Sequence, residues 1–137
     1  MPSTELDCTL QLVIVPGRSI PVSAHFSFRS RDPYGIHVTF RLEERPPVDW
    51  VFARDLLAEG TVRPSGFGDV RIWPEKEGQA SSLSIELNSP FGHALLNMPL
   101  DVMTEWLGQT YHLVPAGFEE AALDLDGELS RLLGEVS

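Results

Sequence analysis

The chain has 137 residues and a mass of 15.2 kDa, a length that fits one ordinary domain with its own core. Hydrophobic residues make up 42% and charged residues 22%, which excludes an intrinsically disordered chain and a membrane-spanning one. Ten basic residues stand against twenty acidic ones, and Lys76 is the only lysine. The resulting net charge of -10 argues against generic nucleic-acid binding.

The single cysteine and the amino-terminal residues favour a cytoplasmic location. Cys8 lies in an apolar run, and one cysteine excludes an internal disulfide framework and a cysteine-rich zinc site. Glu5 and Asp7 occupy positions where a signal peptide carries positive charge. The longest stretch without charged residues, 87–100, is too short to span a bilayer.

Alternating apolar and polar residues predict antiparallel strands in the first half of the chain. The runs cover residues 6–14, 20–29 and 36–42, and a fourth strand over 48–52 follows Pro46-Pro47. Short links that contain Pro, Gly and Asp separate the first three runs. We therefore predict a meander with one buried and one exposed face.

The middle of the chain changes from helix back to strand. Residues 53–59 favour helix, and Gly60 is placed to end it. Strands are predicted over residues 69–73, 81–88 and 92–98. The last of these also suits a helix, and the short link over 89–92 favours the strand.

The last third of the chain is predicted to be helical and strongly acidic. One helix follows Pro99 and a second begins between Phe118 and Asp124. From Pro99 onward eight acidic residues stand against one basic residue. The second helix carries apolar residues in a heptad-like spacing, which fits either packing on its own sheet or an oligomer seam: Phe118, Ala122, Leu125, Leu129, Leu132 and Val136.

These elements predict an α+β fold: antiparallel β-sheets of about seven strands, a short central helix and two C-terminal helices. The sequence has no internal repeat, low-complexity segment or interdomain linker, so we expect one domain over residues 1–137. Residues 1–98 would be mainly β and residues 99–137 helical.

The sequence offers no constellation that points to catalysis, to a cofactor or to a metal ion. His25 and His37 fall on adjacent predicted strands and could meet across a hairpin, but two histidines on an exposed sheet face are the simpler interpretation. The Gly-x-Gly at residues 66–68 lacks the rest of a phosphate-binding loop. We expect a protein without enzymatic activity.

Several ordered motifs make the chain resemble the SsgA-like proteins of actinomycetes, which act in sporulation-specific cell division. The most specific motif is an eleven-residue run, Trp50-Val-Phe-Ala-Arg-Asp-Leu-Leu-Ala-Glu-Gly60. The other motifs follow the family's order over nearly the whole chain: Asp32-Pro-Tyr34, His37-Val-Thr-Phe40, Gly68-Asp-Val-Arg-Ile-Trp-Pro74, Ser89-Pro-Phe-Gly-His-Ala-Leu-Leu96, Val114-Pro-Ala-Gly-Phe-Glu119 and Asp124-Leu-Asp-Gly-Glu-Leu129. Within the family the sequence looks most like the SsgB branch.

The resemblance implies a non-enzymatic protein at the division septum that helps choose septum sites and recruits FtsZ, the tubulin-like division GTPase. It further implies a homo-oligomer, with a trimer favoured, and a sibling SsgA-like protein as a second partner. The implied fold is similar to that of the Whirly and mitochondrial RNA-binding proteins. This chain lacks their lysine-rich strand motif, which argues against the same single-stranded ligand for this protein.

Six residues are candidate contacts for a partner protein: Arg54, Asp55, Glu59, Gly117, Glu119 and Glu120. The first three offer charges on the short helix, and the others lie at the last interhelical turn. Glycine at position 117 would permit a backbone conformation or a close approach that a side chain blocks. The alternative function is single-stranded nucleic-acid binding, which Arg29, Arg41 and exposed aromatic rings would serve.

Overall fold

The computed structural model describes residues 2–90 and 92–132, with their side chains except those of Glu77 and residues 125–131. The strands are β1 Ser3–Val15, β2 Arg18–Arg29, β3 Asp32–Arg41, β4 Val48–Ala53, β5 Val70–Glu77, β6 Ala80–Ser89 and β7 Gly92–Pro99. The helices are α1 Arg54–Gly60, α2 Leu100–Leu113 and α3 Glu119–Leu132. The order of elements and the α+β class are those that the sequence predicts, and residues 92–98 form a strand as expected.

All seven strands belong to one antiparallel sheet with the order β4-β3-β2-β1-β7-β6-β5. The sheet consists of two antiparallel meanders, β1–β4 and β5–β7. They are joined where β1 pairs with β7 at Gln11 and Leu12. The sheet is curled: one helix, α1, contacts β3 and β4 near one edge and β5 at the other edge. The curl encloses one apolar face around the core.

The core forms from alternate side chains of the strands and one stripe of α2. On β2 the inward side chains of Val22, Ala24, Phe26 and Phe28 are buried. The Trp106 ring of α2 packs on Phe26, with ring centroids 6.0 Å apart. Burying an aromatic side chain of this size contributes about 1.5–3 kcal/mol, so the alternation in β2 and the stripe in α2 are strong determinants of the fold.

Gly60 is the last residue of α1, and the helix ends at the position that the sequence predicts. Close packing requires a glycine at this position, since a Cβ at position 60 would lie 2.7 Å from the Cβ of Ile72 on β5. Gly60 does not adopt the left-handed conformation of a typical glycine cap. A glycine here lets α1 approach the far edge of the curled sheet.

Helix α3 begins at Glu119, within the predicted range, and packs on β3. Of the predicted seam, Ala122 is half-buried against the core, which supports packing on the chain's own sheet, whereas Phe118 and Leu132 are exposed. Val136 lies outside the described residues, as do the side chains of Leu125 and Leu129. No helix in the described part of the chain is long and apolar enough to cross a membrane.

Candidate functional site

Arg54, the first residue of α1, lies inside the protein and is 1% exposed. Its guanidinium carbon lies 4.0 Å from the centroid of the Tyr111 ring and 4.8 Å from that of Phe28. Cation–π attraction of this kind is strengthened where water is excluded. The expectation that Arg54 offers a surface charge is therefore wrong, because α1 turns this side chain under α2.

The Arg54 guanidinium joins three elements of the structure. Its Nη1 donates hydrogen bonds to the carbonyl oxygens of Thr110, at 3.1 Å, and Val114, at 2.8 Å, where α2 ends. The Thr110 carbonyl also accepts from the Val114 N–H at 3.0 Å, whereas the Val114 carbonyl lies beyond the helical ladder and is supplied by the buried arginine. Nη2 lies 3.6 Å from the carboxylate of Glu119, the first residue of α3. Arg54 thus fixes the start of α3 relative to α1 and α2.

The turn between α2 and α3 depends on Gly117, whose φ is +87°. No atom other than its own chain neighbours lies within 4 Å of a Cβ built at this position. Backbone conformation, and not close approach, is therefore the reason for glycine here. The Gly117 N–H donates to Oε1 of Glu119 at 2.6 Å, so the carboxylate that faces Arg54 also holds the turn.

Two tyrosines draw the acidic residues together above Arg54. The Tyr34 hydroxyl of β3 donates to Oε1 of Glu120 at 2.8 Å, and the Tyr111 hydroxyl of α2 donates to Oδ1 of Asp55 at 3.3 Å. The hydrogen bond to Glu120 raises the pKa of Tyr34, as do some burial and the nearby carboxylates of Glu120, Glu119 and Asp55. The Tyr34 hydroxyl therefore joins β3 to α3, and the Tyr111 hydroxyl joins α2 to α1.

The exposed residues of this region form a continuous part of the α1–α2–α3 junction, which we call the junction surface. It consists of Tyr34, Asp55, Gly117, Phe118 and Glu120, all of them exposed. The Phe118 side chain is 60% exposed and directly follows the Gly117 turn. Aromatic residues are enriched in protein–protein interfaces whereas Asp and Glu are depleted, so the exposed Phe118 ring is the feature of this surface that is typical of an interface.

Glu59 stands apart from the other predicted contacts. It is exposed one helical turn beyond Asp55, and its carboxylate pairs with Arg63 at 3.7 Å. The structure thus brings together five of the six candidates, of which Arg54 and Glu119 are buried and the rest exposed. That any of them contacts a partner stays a prediction.

Sequence reasoning missed Phe28, Tyr34, Thr110 and Tyr111 as members of this region. Tyr34 belongs to the Asp32-Pro-Tyr34 motif of the resemblance, which is the one signal that could have identified it. The others carry no local signal, because their contacts with Arg54 join segments that are far apart in the chain.

Comparison with known proteins gives matches over most of the chain. Residues 22–119 match the model of the family described as "Streptomyces sporulation and cell division protein, SsgA". The sporulation-specific cell division protein SsgB of Streptomyces coelicolor is 44% identical, covering 97% of this chain and 98% of the relative. SsgB of Thermobifida fusca is 41% identical, covering 95% of this chain and 96% of the relative.

Solved structures of similar proteins share the fold. The SsgA-like sporulation-specific cell division protein of T. fusca superposes with a TM-score of 0.85 at 38% identity, covering 95% of each chain. An S. coelicolor SsgB structure, from work on mutations that correlate with longitudinal cell division, gives 0.84 at 40% identity, covering 88% of this chain and 95% of that one. The chain therefore belongs to the SsgA family of sporulation and cell division proteins.

Proposed function

We propose that this protein is a non-enzymatic regulator of sporulation-specific cell division that helps select septum sites and recruits FtsZ. The observation that carries the proposal is the match, over 97% of the chain, to relatives named as sporulation-specific cell division proteins. The identity of 44% to one of these relatives supports extending the proposal from the fold to the role.

The junction surface is the part of the protein that we assign to the partner. Asp55, Gly117 and Glu120 are exposed on it, and Glu59, which stands apart on α1, is a separate exposed candidate contact. Arg54 and Glu119 act as positioning residues, since the ion pair between them holds the turn that carries Phe118. A preorganised turn binds a partner at a low cost in conformational entropy.

Co-sedimentation with purified FtsZ in the presence of GTP tests recruitment. We expect the protein to pellet with FtsZ polymers in proportion to polymer mass and to remain in the supernatant when GTP is replaced by GDP. Failure to pellet with assembled FtsZ, together with unchanged light scattering of assembly, would contradict recruitment.

Septum-site selection is tested separately in sporulating cells. A fluorescent fusion should mark the positions of future septa before the division ring appears, at a peripheral location on the division septum. Arrival after the ring would leave recruitment in question and would contradict site selection.

A homo-oligomer, with a trimer favoured, completes the proposal, and a sibling SsgA-like protein is the further partner we propose. Support comes from the β1–β2 hairpin, where Ile14, Val15 and Ile20 are exposed, and from the outer edge of β4, an end strand of the sheet. Multi-angle light scattering should give about three times 15.2 kDa. A mass near that of one chain would contradict this part.

The alternative that the sequence leaves open, single-stranded nucleic-acid binding by a Whirly-like sheet, gains no support from the matched relatives. The likeness to the Whirly fold itself stays a prediction. We therefore propose a protein of the division machinery as the partner, and not a nucleic acid.

A further inference from the structure

The side chain of Phe67, in the loop between α1 and β5, is 93% exposed, the largest value among the exposed large apolar side chains that the structure describes. Val62, in the same loop, is 67% exposed. Neither side chain stabilises the fold by leaving water, because each remains largely in contact with it. The loop thus presents apolar surface that the core of the protein does not use.

The segment before Phe67 is held by hydrogen bonds to two elements. Ser65 and Ile72 of β5 exchange backbone hydrogen bonds of 2.8 and 3.0 Å. The Ser65 hydroxyl donates to the Leu56 carbonyl of α1 at 3.0 Å. Two residues before the exposed ring, the loop is therefore fixed both to the edge of the sheet and to the helix.

The segment after Phe67 is held by β6. The backbone N–H of Asn88 donates to the Asp69 carbonyl at 2.9 Å, and the side-chain amide of Asn88 donates to the Gly68 carbonyl at 3.2 Å. Phe67 therefore lies between two anchored segments, although its own side chain is exposed.

The two glycines beside Phe67 hold the backbone in a conformation that other residues rarely adopt. The φ angle is +82° at Gly66 and +80° at Gly68. A Cβ at position 66 would also collide with the backbone oxygen of Val70. An aromatic ring on a loop of fixed geometry loses little conformational freedom on binding, which is a property of interface anchors.

The charges around the exposed ring favour an uncharged partner surface. Residues 62–72 contain two basic residues, and each is paired with a carboxylate: Arg63 with Glu59 at 3.7 Å and Arg71 with Glu86 at 3.5 Å. No unpaired guanidinium of this segment is left to attract a phosphate or a lipid headgroup, and the whole chain has a net charge of -10.

The size of the exposed apolar group separates a protein pocket from a lipid bilayer. One phenyl ring buries less apolar surface than a myristoyl chain, which by itself binds membranes only marginally. Aromatic residues are enriched at the centres of protein interfaces, where they fill pockets of the partner. An apolar pocket of a protein is therefore the environment that this loop fits.

We propose that Phe67 is an anchor residue that inserts into an apolar pocket of the protein partner, at a contact separate from the junction surface. This assignment rests on the proposed recruitment of FtsZ, which supplies the partner.

Helix α1 connects the two contacts. Asp55 of the junction surface and Glu59 are four residues apart on α1 and both exposed, so they lie on the same face of the helix. Glu59 pairs with Arg63 at the start of the loop. The seven residues of α1 span about 10 Å, so one partner protein is large enough to cover both contacts.

Biolayer interferometry with immobilised, purified FtsZ tests the anchor. Phe67→Ala removes the ring, and Phe67→Leu keeps an apolar side chain at the same position. The control, Val48→Ala, truncates an apolar side chain of β4 that is 52% exposed. The unfolding midpoint should be unchanged in both Phe67 variants, because the ring is not part of the core.

We expect saturable binding by the wild type, and binding by Val48→Ala within twofold of it. Phe67→Ala should bind roughly tenfold more weakly, with Phe67→Leu between the two. The ratio of the dissociation constants of Phe67→Ala and the wild type should not change with salt, because an apolar contact is not screened. Binding by Phe67→Ala within twofold of the wild type, or an equal loss in Val48→Ala, would overturn the anchor.

Two further measurements test other occupants of the contact. We expect no flotation with phosphatidylcholine vesicles and the same mass by multi-angle light scattering for the wild type and Phe67→Ala. Flotation of the wild type that is lost in Phe67→Ala would overturn the protein pocket in favour of lipid. A smaller mass for Phe67→Ala would overturn the separate partner in favour of a second copy of this chain.

Failure of the anchor is distinguishable from failure of FtsZ recruitment. A wild-type protein that does not bind FtsZ contradicts recruitment and the anchor with it. A wild-type protein that binds FtsZ, with Phe67→Ala unimpaired, contradicts the anchor alone.

Discussion

The guanidinium of Arg54, where α1 begins, lies 3.6 Å from the carboxylate of Glu119, where α3 begins. Both side chains are buried, and the same arginine supplies hydrogen bonds to two carbonyls at the end of α2. A charge excluded from water requires compensation by nearby partners. The position of the last helix therefore depends on one side chain of the first helix.

Replacing Arg54 by methionine should lower the free energy of unfolding by about 3–5 kcal/mol. The substitution keeps an apolar chain beside Tyr111 but removes the cation that faces the Glu119 carboxylate and the donor to the Val114 carbonyl. The Thr110 carbonyl keeps the Val114 N–H as its donor. Urea denaturation monitored by circular dichroism measures the change. The control is Arg63→Ala, which removes an exposed ion pair with Glu59 and should cost about 0.5 kcal/mol or less. Similar losses in the two variants would show that the buried arginine is not a structural anchor.

Replacing Gly117 by valine should leave a folded protein with a strained turn and weakened partner binding. A β-branched residue at φ +87° costs about 1–2 kcal/mol, whereas Gly117→Asn, which tolerates this conformation better, should cost less. Open space around the position makes steric collision a minor term. Thermal unfolding and hydrogen exchange of residues 118–124 measure the strain in the turn, and co-sedimentation with FtsZ measures the partner binding. Global unfolding by valine, with binding lost only in step with it, would contradict the assignment of the turn to the partner surface.

His25 should make the stability of the β1–β2 pair depend on pH. Its Nδ1 lies 2.6 Å from Oδ1 of Asp7, and this hydrogen bond, opposed by partial burial and assisted by the nearby Asp7 and Glu5 charges, raises the pKa of His25 above its ordinary value near 6.5. A raised pKa in the folded state gives a stabilising contribution that is complete below the unfolded value and lost as pH rises through the folded one. The wild type should therefore exceed His25→Gln in stability at pH 5.5, and by less at pH 8.0. The site is exposed, so the change is about 0.5 kcal/mol or less. A stability difference that grows with pH would contradict this sign.

Cys8 should react slowly with thiol reagents despite being only half-buried. Burial, with the nearby charge of Asp7, raises the pKa of the Cys8 thiol from its ordinary value to about 11. Because the thiolate is the reactive form, alkylation at pH 8 should be about a hundredfold slower than for a thiol with the unshifted pKa. Alkylation quenched at a series of times and followed by mass spectrometry gives the rate of Cys8 modification, and the unfolded chain in guanidinium provides the reference. Equal rates in the folded and unfolded states would contradict the burial argument.

The elements that the sequence predicted well are those whose pattern is local. Alternation in β2, from Val22 to Phe28, identifies both the strand and its buried face, because a period of two leaves no second interpretation. The order of strands and helices follows from turns such as Pro16-Gly17 and from the change of period after Pro99.

The features that the sequence did not reveal depend on long-range packing. Arg54 has the character of a surface charge in sequence, since arginine is mostly exposed in proteins. Its burial requires Phe28, Tyr111 and Glu119, which come from three other elements. The sequence predicted correctly that α1 ends at Gly60. A glycine is required there because Ile72, on the opposite edge of the sheet, leaves no room for a side chain.

Direct binding of the purified protein to purified FtsZ, with the junction surface altered, tests the central proposal most directly. Biolayer interferometry should give saturable binding by the wild type and at least fivefold weaker binding by Asp55→Asn/Glu120→Gln, which removes two exposed charges of that surface with little change of shape. The matched control, Glu43→Gln/Glu105→Gln, removes equal charge elsewhere and should bind as the wild type does. Absence of binding by the wild type would contradict FtsZ recruitment, and equal weakening in both double variants would contradict the junction surface as its site.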